Sequence, residues 1–156
     1  MQLLTFTVAG QAFAIESRRV VEVLPLIPAR PIPHTPDYVR GIFTYRGRLV
    51  PLVDLGLRFA TGQLAERLST RVIVVEATIA GGESQMLGLV AENVIAICSA
   101  EDAEASLPPL DFHQTPFLGK ILRIGGRTIQ VIQIEHLLPA AVSTGLVPAP
   151  TTASDP

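Results

Sequence analysis

The sequence predicts an all-β fold in which two barrels share one hydrophobic core. One observation is a β-hairpin pattern at residues 39–55, and a second is the return of that pattern at residues 119–134. The third is the continuous apolar run at residues 72–75, which is typical of a strand covered on both faces. A half of about 70 residues would be only marginally stable alone. We therefore expect the two halves of the chain to cover each other.

The first hairpin is predicted from its arms and its turn. Apolar arms at residues 42–45 and 49–53 flank Arg46-Gly47-Arg48, in which the glycine supplies the positive φ that a tight turn needs. Pro51 has no N–H to donate, so the second arm is expected to be an edge strand or to carry a bulge there. Asp54 follows that arm directly, and its carboxylate is expected to cap a short helical turn.

The second hairpin repeats the first at nearly constant spacing. The glycine that opens the pattern returns 78 positions later as Gly119, and the second arginine returns 79 positions later as Arg127. This difference predicts one extra residue in the second turn. Two upstream apolar segments, 13–15 and 20–23, also return 74 positions later. The spacing indicates an internal duplication, and the alternative is that any all-β chain contains hairpins that look alike.

Strands, crossings and turns are predicted for the remaining segments. Further strands are expected at residues 3–8, 12–15, 20–24, 86–90 and 94–99, with proline-rich crossings at 25–36 and 112–116. Residues 135–138 can form one helical turn. Residues 139–156, rich in Pro, Ala, Ser and Thr, are expected to be a disordered tail.

Composition limits where the protein is expected to reside. Apolar residues make up 48% of the chain and the mean hydropathy is +0.42. No apolar run approaches the roughly 20 residues of a membrane-spanning helix, so we expect no direct membrane insertion. Met1 leads into a strand-like segment without the features of a signal peptide, so the expected location is the cytoplasm.

Cys98 stands alone among apolar neighbours, which predicts a buried, unreactive thiol without a disulfide.

The charge distribution argues against a nucleic-acid partner. Residues 1–68 carry eight arginines and five acids, for +3, whereas residues 69–156 carry four bases and nine acids, for −5. Neither part is basic enough to follow a phosphate backbone. The opposite signs would suit head-to-tail contacts with charged proteins.

No constellation of residues in the sequence indicates catalysis, a metal or a cofactor. The chain has no glycine-rich phosphate loop, no Gly-x-Ser-x-Gly elbow and no pair of histidines at helical spacing. His34, His113 and His136 are scattered, and together with Cys98 they predict no metal site. His34 and His113 occupy matching places in the two crossings, which the duplication explains. A binding role is therefore expected rather than an enzyme, which would need a reactive set of residues.

Residues 39–55 resemble the signature of CheW-like domains, the adaptor proteins of bacterial chemosensory arrays. In that signature a glycine, an apolar strand, an Arg-Gly turn, a strand with proline and an Asp-Leu pair follow one another. Here they are Gly41, Ile42, Phe43, Arg46, Gly47, Val50, Pro51, Val53, Asp54 and Leu55. Weaker likeness extends from about residue 3 to residue 138. The resemblance therefore implies a single CheW-like domain at 1–138.

The resemblance implies two interlocked five-stranded, SH3-like β-barrels with a shared hydrophobic core and short helical turns. The first barrel is expected at about residues 1–60 and the second at about residues 70–134, with the C-terminal helical turn at 135–138. The motif residues expected to have structural roles are Gly41, Gly47, Pro51 and Asp54.

The resemblance also implies a non-enzymatic adaptor. CheW-like adaptors couple the cytoplasmic tip of methyl-accepting chemoreceptors to the regulatory domain of a CheA-type histidine kinase. We therefore expect a cytoplasmic protein that is recruited to receptor arrays at the inner membrane. In that family the groove between the barrels faces the receptor, and the residues expected to bind it here are Val20, Glu22, Tyr45 and Arg46. The residues that face the kinase lie on loops and are not assigned.

Departures from the family pattern leave the partner open. Members usually have Asn-Leu before Arg-Gly, where this chain has Thr44-Tyr45, and Val-Asp where it has Val90-Ala91. An adaptor of a surface-sensing, second-messenger pathway is therefore an alternative to swimming chemotaxis. A small-molecule-binding β-barrel is a further alternative, and it would need an enclosed cavity. Glu22 and Arg46 can also be interpreted as a purely structural ion pair.

Overall fold

The computed structural model describes residues 1–78, 82–110 and 115–138, which form an all-β fold, as the sequence predicts. The strands of this part are β1 (Gln2–Val8), β2 (Gln11–Glu16), β3 (Val20–Pro25), β4 (Val39–Tyr45), β5 (Arg48–Asp54), β6 (Thr70–Thr78), β7 (Ser84–Ser99), β8 (Ala105–Leu107), β9 (Leu118–Ile124) and β10 (Arg127–Ile132). A short helix, α1 (Leu55–Arg58), and 3₁₀ turns at Ser17–Arg19, Ala100–Asp102 and Ile134–His136 connect them. No helix in these ranges is long and apolar enough to span a membrane. The predicted tail at 139–156 and His113 lie outside the described residues.

The first predicted hairpin forms between β4 and β5. Arg46 and Gly47 make its turn, with φ of 49° and 77°. Two consecutive left-handed residues give the turn type whose twist matches that of antiparallel strands. Gly47 adopts this φ without steric cost because it has no Cβ.

The second predicted hairpin forms between β9 and β10, around Gly125 and Gly126 with φ of 58° and 78°. Its turn also has two residues, so the prediction of an extra turn residue is wrong. The additional position lies in the first arm instead. Gly119 is five residues before the end of β9, whereas Gly41 is four residues before the end of β4.

β5 is not an edge strand along its whole length, which corrects the prediction for this arm, although Pro51 itself pairs with β4 alone in the described sheet. From Leu52 to Asp54, β5 pairs in parallel with β7 as well as with β4, and the register of the hairpin shifts only near the start of β4. Pro51 stands opposite Ile42, whose N–H and C=O both bond to Arg30 at 2.9 Å, away from β5. The proline therefore occupies a pair without hydrogen bonds, where its missing N–H leaves no carbonyl of β4 unsatisfied.

β7 joins two groups of strands. Its first half pairs with β5 and β6, which pair in turn with β4 and β3. Its second half pairs with β1, and the order continues through β2, β10, β9 and β8. We call β3–β6 with the first half of β7 barrel A, and β1, β2 and β8–β10 with the second half of β7 barrel B. This grouping differs from the predicted division into 1–60 and 70–134, because β1 and β2 find their outer partners in β7 and β10.

A shared core lies between the barrels, as predicted. Leu4 and Phe6 of β1 belong to the large cluster that contains residues of both barrels, whereas Leu3 belongs to a smaller cluster inside barrel B. Because side chains alternate along a strand, β1 contributes to both cores. Residues 72–75 of β6 are completely buried. The predicted strand with two covered faces is therefore confirmed.

Candidate protein-interaction site

Three of the residues expected to bind a receptor meet at one end of barrel A. The Tyr45 hydroxyl donates a hydrogen bond of 2.5 Å to Oε1 of Glu22, and Nη2 of Arg46 donates to the same oxygen at 3.0 Å. The guanidinium of Arg46 lies 5.0 Å from the centre of the Tyr45 ring. A cation at this distance over an aromatic face is attracted to it. We call these three residues the Glu22 cluster.

The Glu22 cluster connects an edge strand to the tip of a hairpin. Glu22 lies in β3, which pairs only with β6 among the strands of the described ranges. Tyr45 ends β4, and Arg46 opens the turn that follows. Since β3 and β4 do not pair with each other in the described sheet, the side chains of the cluster provide a polar link between them.

The cluster combines a buried ring with an accessible ion pair. The Tyr45 residue is 6% exposed, whereas the side chains of Glu22 and Arg46 are 40% and 68% exposed. The hydrogen bond to Glu22 raises the pKa of Tyr45, because it stabilises the protonated phenol. Both donors use Oε1, so Oε2 of Glu22 receives no hydrogen bond from the described part of the chain. Arg46 likewise keeps donors for a further partner.

Val20, the fourth predicted receptor-binding residue, packs against the shared core and is not one of the residues that hydrogen-bond to Glu22 in the described structure. The β3–β6 register shifts between Val20 and Glu22. On the opposite face of the same strand, Val21 and Val23 are 38% and 39% exposed. Sequence reasoning missed these two valines, although the alternation of β3 could have separated them from the inward-facing positions.

Two isoleucines of β7 form a second apolar surface that sequence reasoning missed. Ile95 and Ile97 are 72% and 56% exposed. Ile97 pairs with Leu4, whose side chain faces the shared core, so Ile97 lies on the side of the sheet that faces the space between the barrels. The prediction of a buried Cys98 is wrong, because its apolar neighbours point outwards and the thiol is half-buried. Partial burial raises the pKa of that thiol.

A buried ion pair links the first hairpin to α1 and to the connection that follows it. Asp54 is completely buried and caps α1 by accepting a hydrogen bond of 3.2 Å from the N–H of Leu57, as predicted. Its unpredicted partner is Arg40, whose Nε and Nη2 lie 2.8 and 2.6 Å from Oδ2. Arg40 also donates to the carbonyl of Leu64 at 2.8 Å, and the N–H of Leu64 lies 3.3 Å from Oδ2 of Asp54. The pair therefore ties β4, α1 and the following connection together.

Gly41 allows the proline-rich crossing to approach β4. Its φ is 143°, and a Cβ at this position would lie 2.1 Å from the carbonyl oxygen of Arg30. Arg30 and Ile42 exchange two backbone hydrogen bonds of 2.9 Å at this point. Any larger residue at position 41 would therefore push the crossing away from the hairpin.

The described surface carries several open grooves. No group of three or more His, Cys, Asp or Glu side chains that could hold a metal ion occurs in residues 1–78, 82–110 and 115–138. A groove of about 790 Å³ lies between the proline-rich crossing and the first hairpin, and Pro31, Phe43 and Leu49 are among its lining residues. It is open to solvent and is not the enclosed cavity expected for the small-molecule-binding β-barrel alternative.

Taken together, the fold and the site define a protein of two SH3-like barrels with a polar cluster and apolar side chains on its surface. A family model described as "CheW-like domain" matches residues 2–142. The chain belongs to the CheW-like domain family, as its signature at residues 39–55 predicts.

Relatives and a solved structure agree with this assignment. Chemotaxis protein CheW of Rhizobium meliloti (strain 1021) is 30% identical over 142 residues, which cover 89% of this chain and 88% of that protein. Protein FrzA of Myxococcus xanthus is 30% identical over 140 residues, 87% of this chain and 84% of that protein. The crystal structure of scaffolding protein TtCheW from Thermoanaerobacter tengcongensis matches with a TM-score of 0.74 and 26% identity, over 90% of this chain and 89% of that one. The predicted family and fold are therefore confirmed.

Proposed function

We propose that this chain is a non-enzymatic adaptor that couples the cytoplasmic tip of methyl-accepting chemoreceptors to the regulatory domain of a CheA-type histidine kinase. Its family supports this function, as do the names of its relatives, which include chemotaxis proteins and a scaffolding protein. The observation that carries the proposal is the Glu22 cluster, an accessible ion pair held in place by a buried tyrosine. The adaptor would act in the cytoplasm, at receptor arrays on the inner membrane, by stoichiometric binding.

The candidate receptor surface offers a partner both apolar contact and a charged hydrogen-bonding pair. Val21 and Val23 flank Glu22 in sequence on an edge strand, Ile97 faces the space between the barrels, and Ile95 is exposed beside it on β7. Covering exposed aliphatic side chains with a partner removes apolar surface from water, which favours binding. Arg46, whose side chain is mostly in solvent, can form charge-assisted bonds that orient the partner. Such a surface fits a segment with an apolar stripe bordered by polar groups.

Separate binding measurements test the two partners. Isothermal titration calorimetry at moderate salt is expected to show stoichiometric binding of the kinase regulatory domain and of a receptor cytoplasmic fragment. Arg46→Glu is expected to weaken receptor binding by roughly tenfold, about 1.4 kcal/mol, and to leave kinase binding unchanged. The matched control is Arg18→Glu, since the Arg18 side chain is 73% exposed and lies outside the Glu22 cluster. A parent chain that binds neither partner would refute the adaptor function.

A charge reversal separates pairing from direct contact. If the Glu22–Arg46 pair acts mainly by holding β3 to the hairpin, Glu22→Arg combined with Arg46→Glu restores both folding and receptor control of the kinase. A double variant that folds but fails to couple receptor to kinase would assign these residues to direct receptor contact instead.

The same adaptor activity in a surface-sensing, second-messenger pathway is a second candidate, and Tyr45 is the observation that favours it. Family members usually carry leucine at this position, whereas here the Tyr45 hydroxyl donates a hydrogen bond of 2.5 Å to the carboxylate of Glu22. Tyr45→Leu is therefore expected to change which receptor fragment binds more tightly. Equal preference in the parent and the variant would contradict a role of Tyr45 in choosing the receptor.

A further inference from the structure

The strand ladders of the two barrels meet in a single strand. Every ladder between barrel A and barrel B in the described sheet runs through β7. Between the two halves of β7, Asn93 has a φ of 50°, and the register with β1 shifts beside it. A left-handed residue inside a strand marks a bulge at which the strand bends. Backbone pairing alone would therefore leave the barrels a pivot at Asn93.

A side-chain link, which we call the Arg58 clamp, also joins the two barrels. Arg58 ends α1, which directly follows β5 of barrel A, and its guanidinium lies 4.8 Å from the ring centre of Tyr38 and 4.2 Å from that of Phe117. Its Nε donates to the carbonyl of Leu137 at 2.6 Å, and its Nη2 to that of His136 at 3.5 Å. Tyr38 precedes β4 of barrel A, whereas Phe117 precedes β9 and Leu137 follows β10 in barrel B. One side chain thus contacts both barrels on two ring faces and two carbonyls.

The clamp continues into a row of aromatic rings. Phe59 stacks on Phe117 with ring centres 5.2 Å apart and an angle of 7°, and it lies 4.9 Å from the ring of Phe13 in β2. Phe117 is 1% exposed, so the guanidinium rests on a ring that is withdrawn from water. Burial lowers the pKa of Arg58, which agrees with partial loss of its hydration. A desolvated cation over aromatic rings is held more strongly than an exposed one.

We propose that Arg58 is a positioning residue that, together with the shared core, fixes the angle between the two barrels. Its planar guanidinium stacks on the rings while its N–H groups donate in fixed directions; a lysine ammonium lacks this plane, and an apolar side chain cannot donate. The importance of this angle for signalling rests on the proposed function, because an adaptor with partners on different surfaces transmits a signal only while those surfaces keep their relative orientation. The angle itself is a property of this chain and can be measured without any partner.

Distance measurements between the barrels test the proposal. Spin labels are placed at Leu68→Cys in the connection of barrel A and at Lys120→Cys on β9 of barrel B, both exposed positions, in a Cys98→Ser background. Pulsed electron paramagnetic resonance is expected to give a narrow distance distribution for this parent. With Arg58→Met the distribution is expected to broaden, while circular dichroism shows the same strand content. Arg18→Met, the matched control, is expected to leave it narrow, because Arg18 bonds only to Glu16 of β2 in the described structure.

The outcomes separate this inference from the proposed function. A folded Arg58→Met variant whose distribution superimposes on that of the parent would overturn the clamp. If that variant does not fold, Arg58→Lys, which keeps the charge but lacks the planar fork, is judged by the same criterion. With both partners present, the Arg58 variant is expected to bind each with unchanged affinity and to lose receptor control of kinase activity. Failure of the parent to bind the partners would instead refute the proposed function and leave the measured angle unaffected.

Discussion

Replacing Asp54 tests whether the buried ion pair supports the first hairpin. Asp54 is completely buried, and the side chain of its partner Arg40 is only 14% exposed. Asp54→Asn removes the charge but keeps an oxygen that can cap α1 through Leu57. Asp54→Ala removes both the charge and the cap. The two variants therefore separate the ion pair from the cap at one position.

The expected loss of folding stability follows from the burial of the Asp54–Arg40 pair. Removing one partner of a buried ion pair costs about 3–5 kcal/mol, because the remaining charge has no compensating group. The slight exposure of Arg40 and its bond to the carbonyl of Leu64 place Asp54→Asn at the lower end, about 3 kcal/mol. Loss of the cap adds about 1 kcal/mol, so Asp54→Ala is expected to cost about 4 kcal/mol. Against a total stability of roughly 5–15 kcal/mol, either change is large.

Urea denaturation followed by circular dichroism measures these losses. The midpoint is expected to fall with little change in slope, which indicates lower stability of the same folded state. The matched control is Glu22→Gln, whose exposed pair with Arg46 contributes only about 0–1 kcal/mol. Arg40→Met completes a double-mutant cycle, in which the double variant should lose about 1–3 kcal/mol less than the sum of the single losses.

Two results would refute this reasoning. One is an Asp54→Asn variant within about 1 kcal/mol of the parent, which would equate the pair with an exposed salt bridge. The other is strict additivity in the cycle, which would mean that Arg40 and Asp54 stabilise the fold independently.

Gly88→Ala is expected to cost about 1–3 kcal/mol in thermal unfolding, because its Cβ would lie 2.6 Å from the Phe43 ring; an unchanged melting temperature would count against this packing. Glu22→Ala is expected to lower the raised pKa of Tyr45 in an NMR titration, since the hydrogen bond is its main cause; an unchanged pKa would contradict that bond. The amino-terminal ammonium lowers the pKa of Glu101 from 4.5 to about 2. The carboxyl of Glu101 binds protons more readily in the unfolded chain, so its contribution to the stability of the fold is complete above pH 4.5 and is lost as the pH falls towards 2. A Glu101 that titrates near its ordinary value would refute this contact.

Most strands and both hairpins were predictable because their signals are local, although the strands expected at 86–90 and 94–99 form the single strand β7, and β8 was not predicted. Gly47 and the alternating arms around it require only neighbouring residues to produce a turn and two strands, and the structure contains both. The grouping of strands into barrels was not predictable in this way. Thr5 and Ala96, which are hydrogen-bonded, are 91 positions apart, and no short pattern in the sequence records such a pairing.

The candidate site was predictable in part. Glu22 and Arg46 were expected to pair because one is a carboxylate, the other a planar cation, and the family places both on one surface. The exposure of Ile97 was not expected, because an apolar segment does not show by its own sequence whether the folded protein covers it. Arg40 was missed for the same reason, since its partner Asp54 becomes its neighbour only when β4 and β5 pair.

The sequence by itself determined the class of the fold, the two glycine turns, the family signature and the strand of residues 72–75 that needs cover on both faces. Only the tertiary structure decided which strands close each barrel, which apolar side chains remain in solvent, and that Tyr45 and Arg46 share one oxygen of Glu22. The physical reason is the separation along the chain over which each kind of interaction acts. Turn and strand preferences act between adjacent residues, whereas burial and side-chain pairing depend on segments that come together only when the whole chain has folded.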